Sequence, residues 1–93
     1  MKAKIICYTL GKIKQTKRTA FKRELNGYID ISNNSKYKYK RPGILQKIPH
    51  HTPIRSAIIV KKQDKNKIIQ HLKKYQAKYS IFDIEINPEI LKN

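Results

Sequence analysis

Two nearly uninterrupted apolar runs constrain this fold more than any other feature of the sequence. The first extends from Ala3 to Leu10 and stops at Gly11, and the second contains Ala57-Ile58-Ile59-Val60. Apolar runs of this length, with β-branched residues and a turn residue at the end, are typical of strands covered on both faces. We therefore expect both runs to be central strands of one sheet.

The spacing of apolar residues predicts two helices between these strands. Thr16 can cap a first helix that ends near Gly27, and Asp64 can cap a second one. The inward residues of the first helix are Ala20, Phe21 and Leu25, and those of the second are Ile68, Ile69, Leu72, Tyr75 and Tyr79.

Two further segments alternate in the manner of strands with one wetter face. In residues 80–86, Phe82, Ile84 and Ile86 are predicted to face the core, and residues 36–41 form the other alternating segment. Between them, Pro42-Gly43 suits a type II turn and residues 49–53 suit a loop.

The order β-α-β-β-α-β predicts an α+β fold of the ferredoxin-like type. Such a sandwich has a four-stranded antiparallel sheet with two helices on one face, the continuous strands in its centre and the alternating ones at its edges. A chain of 93 residues predicts one domain, residues 1–93, with a short C-terminal tail at 87–93.

Charge is the dominant physical property of the chain. It has 22 Lys and Arg against 6 Asp and Glu, which gives a formal net charge of +16. Sixteen of these cations and only two of the acids lie in residues 1–62, so this part is predicted to supply most of the basic surface. Such self-repulsion is relieved by a polyanion, and nucleic acid is the polyanion we expect for a small cytoplasmic protein.

The most regular basic segment is Lys36-Tyr37-Lys38-Tyr39-Lys40-Arg41. In a strand its lysines share one face and its tyrosines the other. One interpretation is an edge strand with Tyr37 and Tyr39 packed on the core and the lysines in water, where they discourage strand pairing. The alternative is that the tyrosines stack on unpaired bases, which favours RNA over DNA.

The first helix and the loop before it offer a second set of phosphate contacts. The predicted nucleic-acid-binding residues are Lys12, Lys14, Lys17, Arg18, Lys22, Arg23, Lys36, Tyr37, Lys38, Tyr39, Lys40 and Arg41.

Two alternatives stay open beside nucleic-acid binding without catalysis. His50 and His51 could serve as general base in a metal-independent ribonuclease. Alternatively, the protein forms a homodimer, in which Asp83 and Glu85 of the last strand complement cations of a second copy. The sequence offers no ligand pattern for a metal, no glycine-rich loop for a nucleotide cofactor, and no apolar stretch that could span a membrane.

Overall fold

The computed structural model of the chain describes residues 1–32 and 36–91, with only the backbone of Ser32. Along the chain the elements are β1 (Lys2–Thr9), α1 (Gln15–Asn26), β2 (Tyr28–Ser32), β3 (Tyr37–Arg41), β4 (His50–His51), β5 (Ala57–Lys61), α2 (Lys65–Lys74) and β6 (Lys78–Glu85). Short 3-10 turns lie at Leu45–Lys47, Lys62–Asp64 and Pro88–Ile90.

The main sheet has four antiparallel strands in the order β4-β5-β1-β6. The two continuous apolar runs are its central strands, as predicted, and Ile6 lies opposite Ile58 on one side and Ile81 on the other. The predicted α+β class, with two helices and a four-stranded antiparallel sheet, is therefore confirmed. The ferredoxin-like topology is not, because the segment predicted as the second strand lies in a separate two-stranded sheet, β2-β3.

One hydrophobic cluster joins the sheet to both helices. The sheet contributes Ile6, Ile58 and Val60, while Phe21 and Leu72 represent the two helices, and each of these side chains is at most 1% exposed. Burial of a large apolar side chain stabilises a fold by about 1.5–3 kcal/mol, so this cluster is the main source of stability.

The second edge strand of the main sheet is β4, in the segment predicted to be a loop. His50 pairs with Val60 and His51 with Ile59. Pro49 precedes this short strand, and proline is tolerated at the start of an edge strand because no ladder hydrogen bond is needed there.

The prediction for the two faces of the last strand is wrong. Ile81 and Tyr79 pack against the core cluster, while Phe82 is 57% exposed on the opposite face. Both faces of this strand carry apolar residues, so the alternation alone could not distinguish them. The pairing of Ile6 with Ile81 decides which face is buried.

The helix ends agree only in part with the sequence. Gly27 ends α1 with a positive φ of 77°, and its N–H donates to the Arg23 carbonyl over 2.8 Å. Thr16 lies inside the first turn, so it is not the cap; Lys14 occupies that position. Asp64 does occupy the N-cap position of α2, but its side chain makes no capping hydrogen bond.

Gly43 locks the base of the β2-β3 sheet against the end of α1. A Cβ atom on Gly43 would lie 2.5 Å from the Leu25 carbonyl oxygen and 2.7 Å from the Asn26 carbonyl carbon. Next to it, the Ile44 N–H donates to the Glu24 carbonyl over 2.9 Å. Because Gly43 has no positive φ, the predicted type II turn with Gly43 at its third position does not form.

Candidate nucleic-acid interface

The two-stranded sheet of β2 and β3, hereafter the ribbon, stands free of the core. Every residue of β3 is exposed, and Ile29 and Ile31 of β2 are 58% and 54% exposed. The radius of gyration is 14.5 Å, whereas a compact chain of this length has about 12 Å, which agrees with a protruding element.

The exposed tyrosines overturn the first interpretation of the Lys-Tyr segment. Tyr37 and Tyr39 are 51% and 49% exposed, so they do not pack on the core. Among the described strands β3 pairs only with β2, so it lies outside the main sheet whose core the tyrosines were predicted to cover.

The register of the ribbon separates two chemically different faces. Residues directly opposite each other share a face, and the pairs Tyr28–Arg41 and Asp30–Tyr39 lie on the same side as Tyr37. We call this side the aromatic face. The other side combines apolar and basic residues, namely Ile29, Ile31, Lys38 and Lys40.

Arginines extend the row of rings on the aromatic face. The Tyr37 and Tyr39 rings are nearly parallel, 21° apart, with centroids separated by 6.4 Å. The Arg41 guanidinium lies 5.9 Å from the Tyr39 centroid, and Arg23 of α1 lies 4.9 Å from the centroid of Tyr28. These distances are within the range of cation–π attraction, so the rings and guanidinium groups form a ladder that reaches the helix.

One carboxylate lies on the aromatic face. Asp30 accepts a hydrogen bond from the Arg41 guanidinium over 3.3 Å, and both side chains are about half exposed. An exposed pair of this kind contributes between 0 and about 1 kcal/mol to stability, so Arg41 can leave Asp30 at little cost.

The cations of α1 are divided among several surfaces. Arg23 belongs to the ladder, whereas Lys22 lines a separate cleft that also contains Arg55. Arg18 is half-buried and donates from Nε to the Ile13 carbonyl over 3.0 Å and from a terminal nitrogen to the Gly11 carbonyl. Arg18 therefore anchors the loop before the helix, and its guanidinium is engaged with backbone rather than turned to solvent.

The other predicted cations of α1 and of the loop before it line an open groove of about 1240 Å³. Leu10, Ile13 and Ala20 give it an apolar floor. We define the lysine groove by its cations, which are Lys12, Lys14, Lys17, Lys74 and Lys78. The sequence did not indicate the last two, because they come from the less basic part of the chain and reach the groove only through the packing of α2 and the pairing of β6 with β1.

A buried histidine cluster lies behind this groove and was also missed. His71 is 4% exposed and stacks on Phe21 at 4.5 Å, and its Nε2 donates to the Phe21 carbonyl over 3.0 Å. Glu24 lies 3.5 Å from the other ring nitrogen and accepts hydrogen bonds from Lys74 and Tyr75. The apolar spacing of α2 gave a weak signal, since His71 precedes the buried Leu72.

The pKa values of His71 and Glu24 are both lowered from those of free side chains, for different reasons. Burial lowers the pKa of His71, although the Phe21 carbonyl and the Glu24 carboxylate act against this shift. Hydrogen bonds from Tyr75 and Lys74 lower the pKa of Glu24. At neutral pH these shifts favour a neutral His71 imidazole beside a charged Glu24 carboxylate.

The two histidines of the nuclease alternative lie on β4 and point to opposite sides of the main sheet, since they are consecutive strand residues. His50 Nδ1 lies 3.0 Å from the Ile48 carbonyl oxygen. Within residues 1–32 and 36–91, no hydrogen bond links either ring to a lysine or a tyrosine. The structure therefore does not bring these two residues together with the ribbon.

The acidic residues of the homodimer alternative have partners within the chain. Asp83 forms an ion pair with Lys4, and this contact lowers the pKa of Asp83. Glu85 lies 3.3 Å from the amino group of Met1. Each carboxylate therefore has an ion-pair partner within the chain, although both side chains are largely exposed.

Comparison with known proteins adds no relative. Among the residues that the structure describes, no helix is long and apolar enough to cross a membrane, and no three side chains cluster as metal ligands would. No protein-family model matches the chain, and no curated protein or solved structure does so either.

Proposed function

We propose that the protein binds nucleic acid, RNA in preference to DNA, and that the ribbon is its principal contact surface. The observation that carries this proposal is the exposure of the aromatic and basic side chains of β3 in an element that contributes nothing to the core. Exposed tyrosines and lysines on one strand suit bases and phosphates respectively.

The charge distribution supports the same partner. The lysines in and just before β3, which are Lys36, Lys38 and Lys40, and the cations of the lysine groove lie on separate surfaces, which a flexible polyanion can contact together. Since folding concentrates a net charge of +16, neutralisation by phosphate relieves self-repulsion.

Binding without catalysis agrees better with the geometry than a ribonuclease does. A metal-independent ribonuclease needs an acid or base beside a cation that stabilises the developing charge. His50 and His51 are both half-buried on opposite sides of an edge strand, so at most one of them could approach a given phosphate.

We further infer that the main sheet is a variant of the ferredoxin-like arrangement. Its support is the order β4-β5-β1-β6 with all neighbours antiparallel, in which the two-residue β4 takes the place predicted for residues 36–41. The ribbon is then an insertion between α1 and β4. The predicted cytoplasmic location and a homodimer stay predictions.

The experiment that tests the proposed function is the salt dependence of binding to a labelled single-stranded RNA of about 12 nucleotides. If six phosphates are neutralised, log affinity falls against log salt with a slope of about −4 on single strands and about −5 on duplex DNA. Fluorescence anisotropy between about 50 and 200 mM salt measures this slope. Affinity that does not change with salt would contradict the proposal.

A charge-matched pair of variants locates the contact. Replacement of Lys36, Lys38 and Lys40 by glutamine should reduce the steepness of the slope by about 2. Replacement of three exposed lysines outside both surfaces, Lys47, Lys62 and Lys73, removes the same charge and should leave most of the slope intact. Equal effects of the two variants would show that net charge, not the ribbon, governs binding.

A further inference from the structure

The Tyr37 and Tyr39 rings lie side by side on the aromatic face of the ribbon, nearly parallel and with their centroids 6.4 Å apart. They are residues i and i+2 of one strand, and the rise of about 3.3 Å per residue fixes their separation near the observed 6.4 Å. Stacked bases are spaced by about 3.4 Å, so a base with a ring on each face needs about 6.8 Å between the two rings, and the centroid separation of 6.4 Å is close to this value. About half of each tyrosine is exposed, so a ligand can reach the pair from solvent.

From this geometry we propose that Tyr37 and Tyr39 form a clamp for one unpaired base, and that the ligand is therefore single-stranded nucleic acid. This inference rests on the proposed function. It adds that the nucleic acid is single-stranded and that one of its bases lies between the two tyrosines. The base inserts between the two rings and makes face contacts on both of its sides.

The arginines continue the binding path beyond the clamp. Arg41 lies 5.9 Å from Tyr39, the clamp residue nearer the base of the ribbon, and guanidinium planes stack on bases as aromatic rings do. Tyr28 with Arg23 above it, at 4.9 Å, follows on the paired strand and at the end of α1. The next bases of the strand are thus placed over Arg41 and Tyr28, in the direction of the helix.

The charges of the ribbon place the phosphates at its outer edge. Asp30 lies in the middle of the aromatic face and repels phosphate from it. One edge of β3 is paired with β2, whereas Lys38 and Lys40 project from the back of the same strand. Their long side chains reach around the outer edge, where they meet the backbone of a strand whose bases lie on the aromatic face.

A base in a duplex cannot use the clamp. Its two neighbours already cover both of its faces, and removal of a base from the stack costs a few kcal/mol. The clamp therefore selects unpaired segments, while the lysines bind phosphates of either form.

The test compares Y37L/Y39L with the wild type on two RNA probes of about 12 nucleotides, an unstructured single strand and a duplex of the same length. Leucine retains apolar bulk but has no ring, so we expect affinity for the single strand to fall about tenfold or more and affinity for the duplex to change less than about twofold. The control Y37F/Y39F keeps both rings and should bind the single strand within about twofold of the wild type.

A second readout reports the base itself. A strand with 2-aminopurine at one position should change its fluorescence on binding to the wild type and to Y37F/Y39F, but not at saturating Y37L/Y39L. Both tyrosines are outside the core, and matching circular dichroism melting curves verify that the variants fold.

The outcomes separate the two levels of the proposal. If Y37L/Y39L loses single-strand and duplex affinity equally, or loses neither, the clamp is wrong while nucleic-acid binding stands. If the wild type binds neither probe with a salt-dependent affinity, the proposed function itself is wrong.

Discussion

The ribbon and the main sheet are built from similar residues and serve opposite purposes. Ile58 in β5 is 1% exposed and Ile31 in β2 is 54% exposed, although both are isoleucines in a strand that pairs with a neighbouring strand. The main sheet gains stability because helices cover one face of it, whereas the described side chains of the ribbon are exposed on both of its faces. This difference shows that strand-forming residues can supply a surface as readily as a core.

The largest expected effect tests that contrast with one residue type. Ile58→Ala should reduce the free energy of unfolding by about 2–5 kcal/mol, because it removes a buried side chain and leaves a cavity. Ile31→Ala should change it by less than about 0.5 kcal/mol, because solvent already surrounds that side chain. Urea unfolding followed by circular dichroism measures both, and Ile58→Val, at about 0.5–1.5 kcal/mol, serves if the alanine variant does not fold. Similar losses at Ile58 and Ile31 would show that the ribbon packs more tightly than its exposure indicates.

The second largest effect is expected at the junction where the base of the ribbon contacts the end of α1. Gly43→Ala should destabilise the protein by about 1–3 kcal/mol, since the new Cβ would overlap the backbone at Leu25 and Asn26. Gly11→Ala is the control for glycine loss in open space: nothing lies within 4 Å of its Cβ, and only its positive φ of 56° adds strain, of about 1–2 kcal/mol. A Gly43→Ala protein as stable as the wild type would mean that the ribbon base is not locked against α1.

The buried His71 gives the stability of the core region a pH dependence. Because burial lowers the pKa of His71 in the folded state, the unfolded state binds a proton first, and stability falls as the pH drops below about 6.5. The slope is at most about 1.4 kcal/mol per pH unit. Glu24 acts in a lower window: its pKa is lowered from 4.5, so its contribution is present above that value and is lost below it.

Urea unfolding at several pH values between about 7.5 and 5.5 measures this slope in the wild type and in His71→Gln. The variant should be less stable overall, and its stability should vary less with pH in that window. His50→Gln on the edge strand is the matched control, and it leaves the His71 contribution intact. An unchanged slope in His71→Gln would assign the pH dependence to other groups.

The smallest effect is expected in the lysine groove, which we compare with the ribbon as a phosphate-binding surface. Lys17→Gln should reduce the steepness of the salt slope on single-stranded RNA by about 0.7, with a few-fold loss of affinity at low salt. Lys73→Gln removes the same charge from an exposed position outside the groove and should have a weaker effect. If the two variants behave alike, the groove does not contact the ligand and the ribbon is the main binding surface.

Prediction from the sequence was most successful where one physical demand dominated a segment. Residues 57–60 have no polar side chain, so only a position covered on both faces suits them, and they form a central strand. Prediction failed where both alternatives satisfied the local pattern. Phe82 and Ile81 are adjacent apolar residues of one strand, and only the pairing of Ile6 with Ile81 decides which of them is buried.

The residues of the candidate site also form two groups, those that the sequence predicts and those that only the fold brings together. Alternation places Lys38 and Lys40 on one face of the strand and Tyr37 and Tyr39 on the other, and the register of the ribbon agrees. The partners Tyr28 and Arg23 could not be recognised, because the ladder depends on which strand pairs with β3 and on how α1 ends beside it. Arg18 resembled its neighbours in sequence, yet its position on the helix turns it to the loop carbonyls.

By itself, the sequence determined the class of fold, the two central strands, the strong positive charge and the separation of cations from aromatics in residues 36–41. Those properties follow from side-chain chemistry and from the periods of strand and helix, which are local. Only the tertiary structure decided that residues 37–41 pair with β2 and stand clear of the core, and that His50-His51 takes the edge of the main sheet. The choice among possible strand partners depends on contacts between residues far apart in the chain, which no local pattern contains.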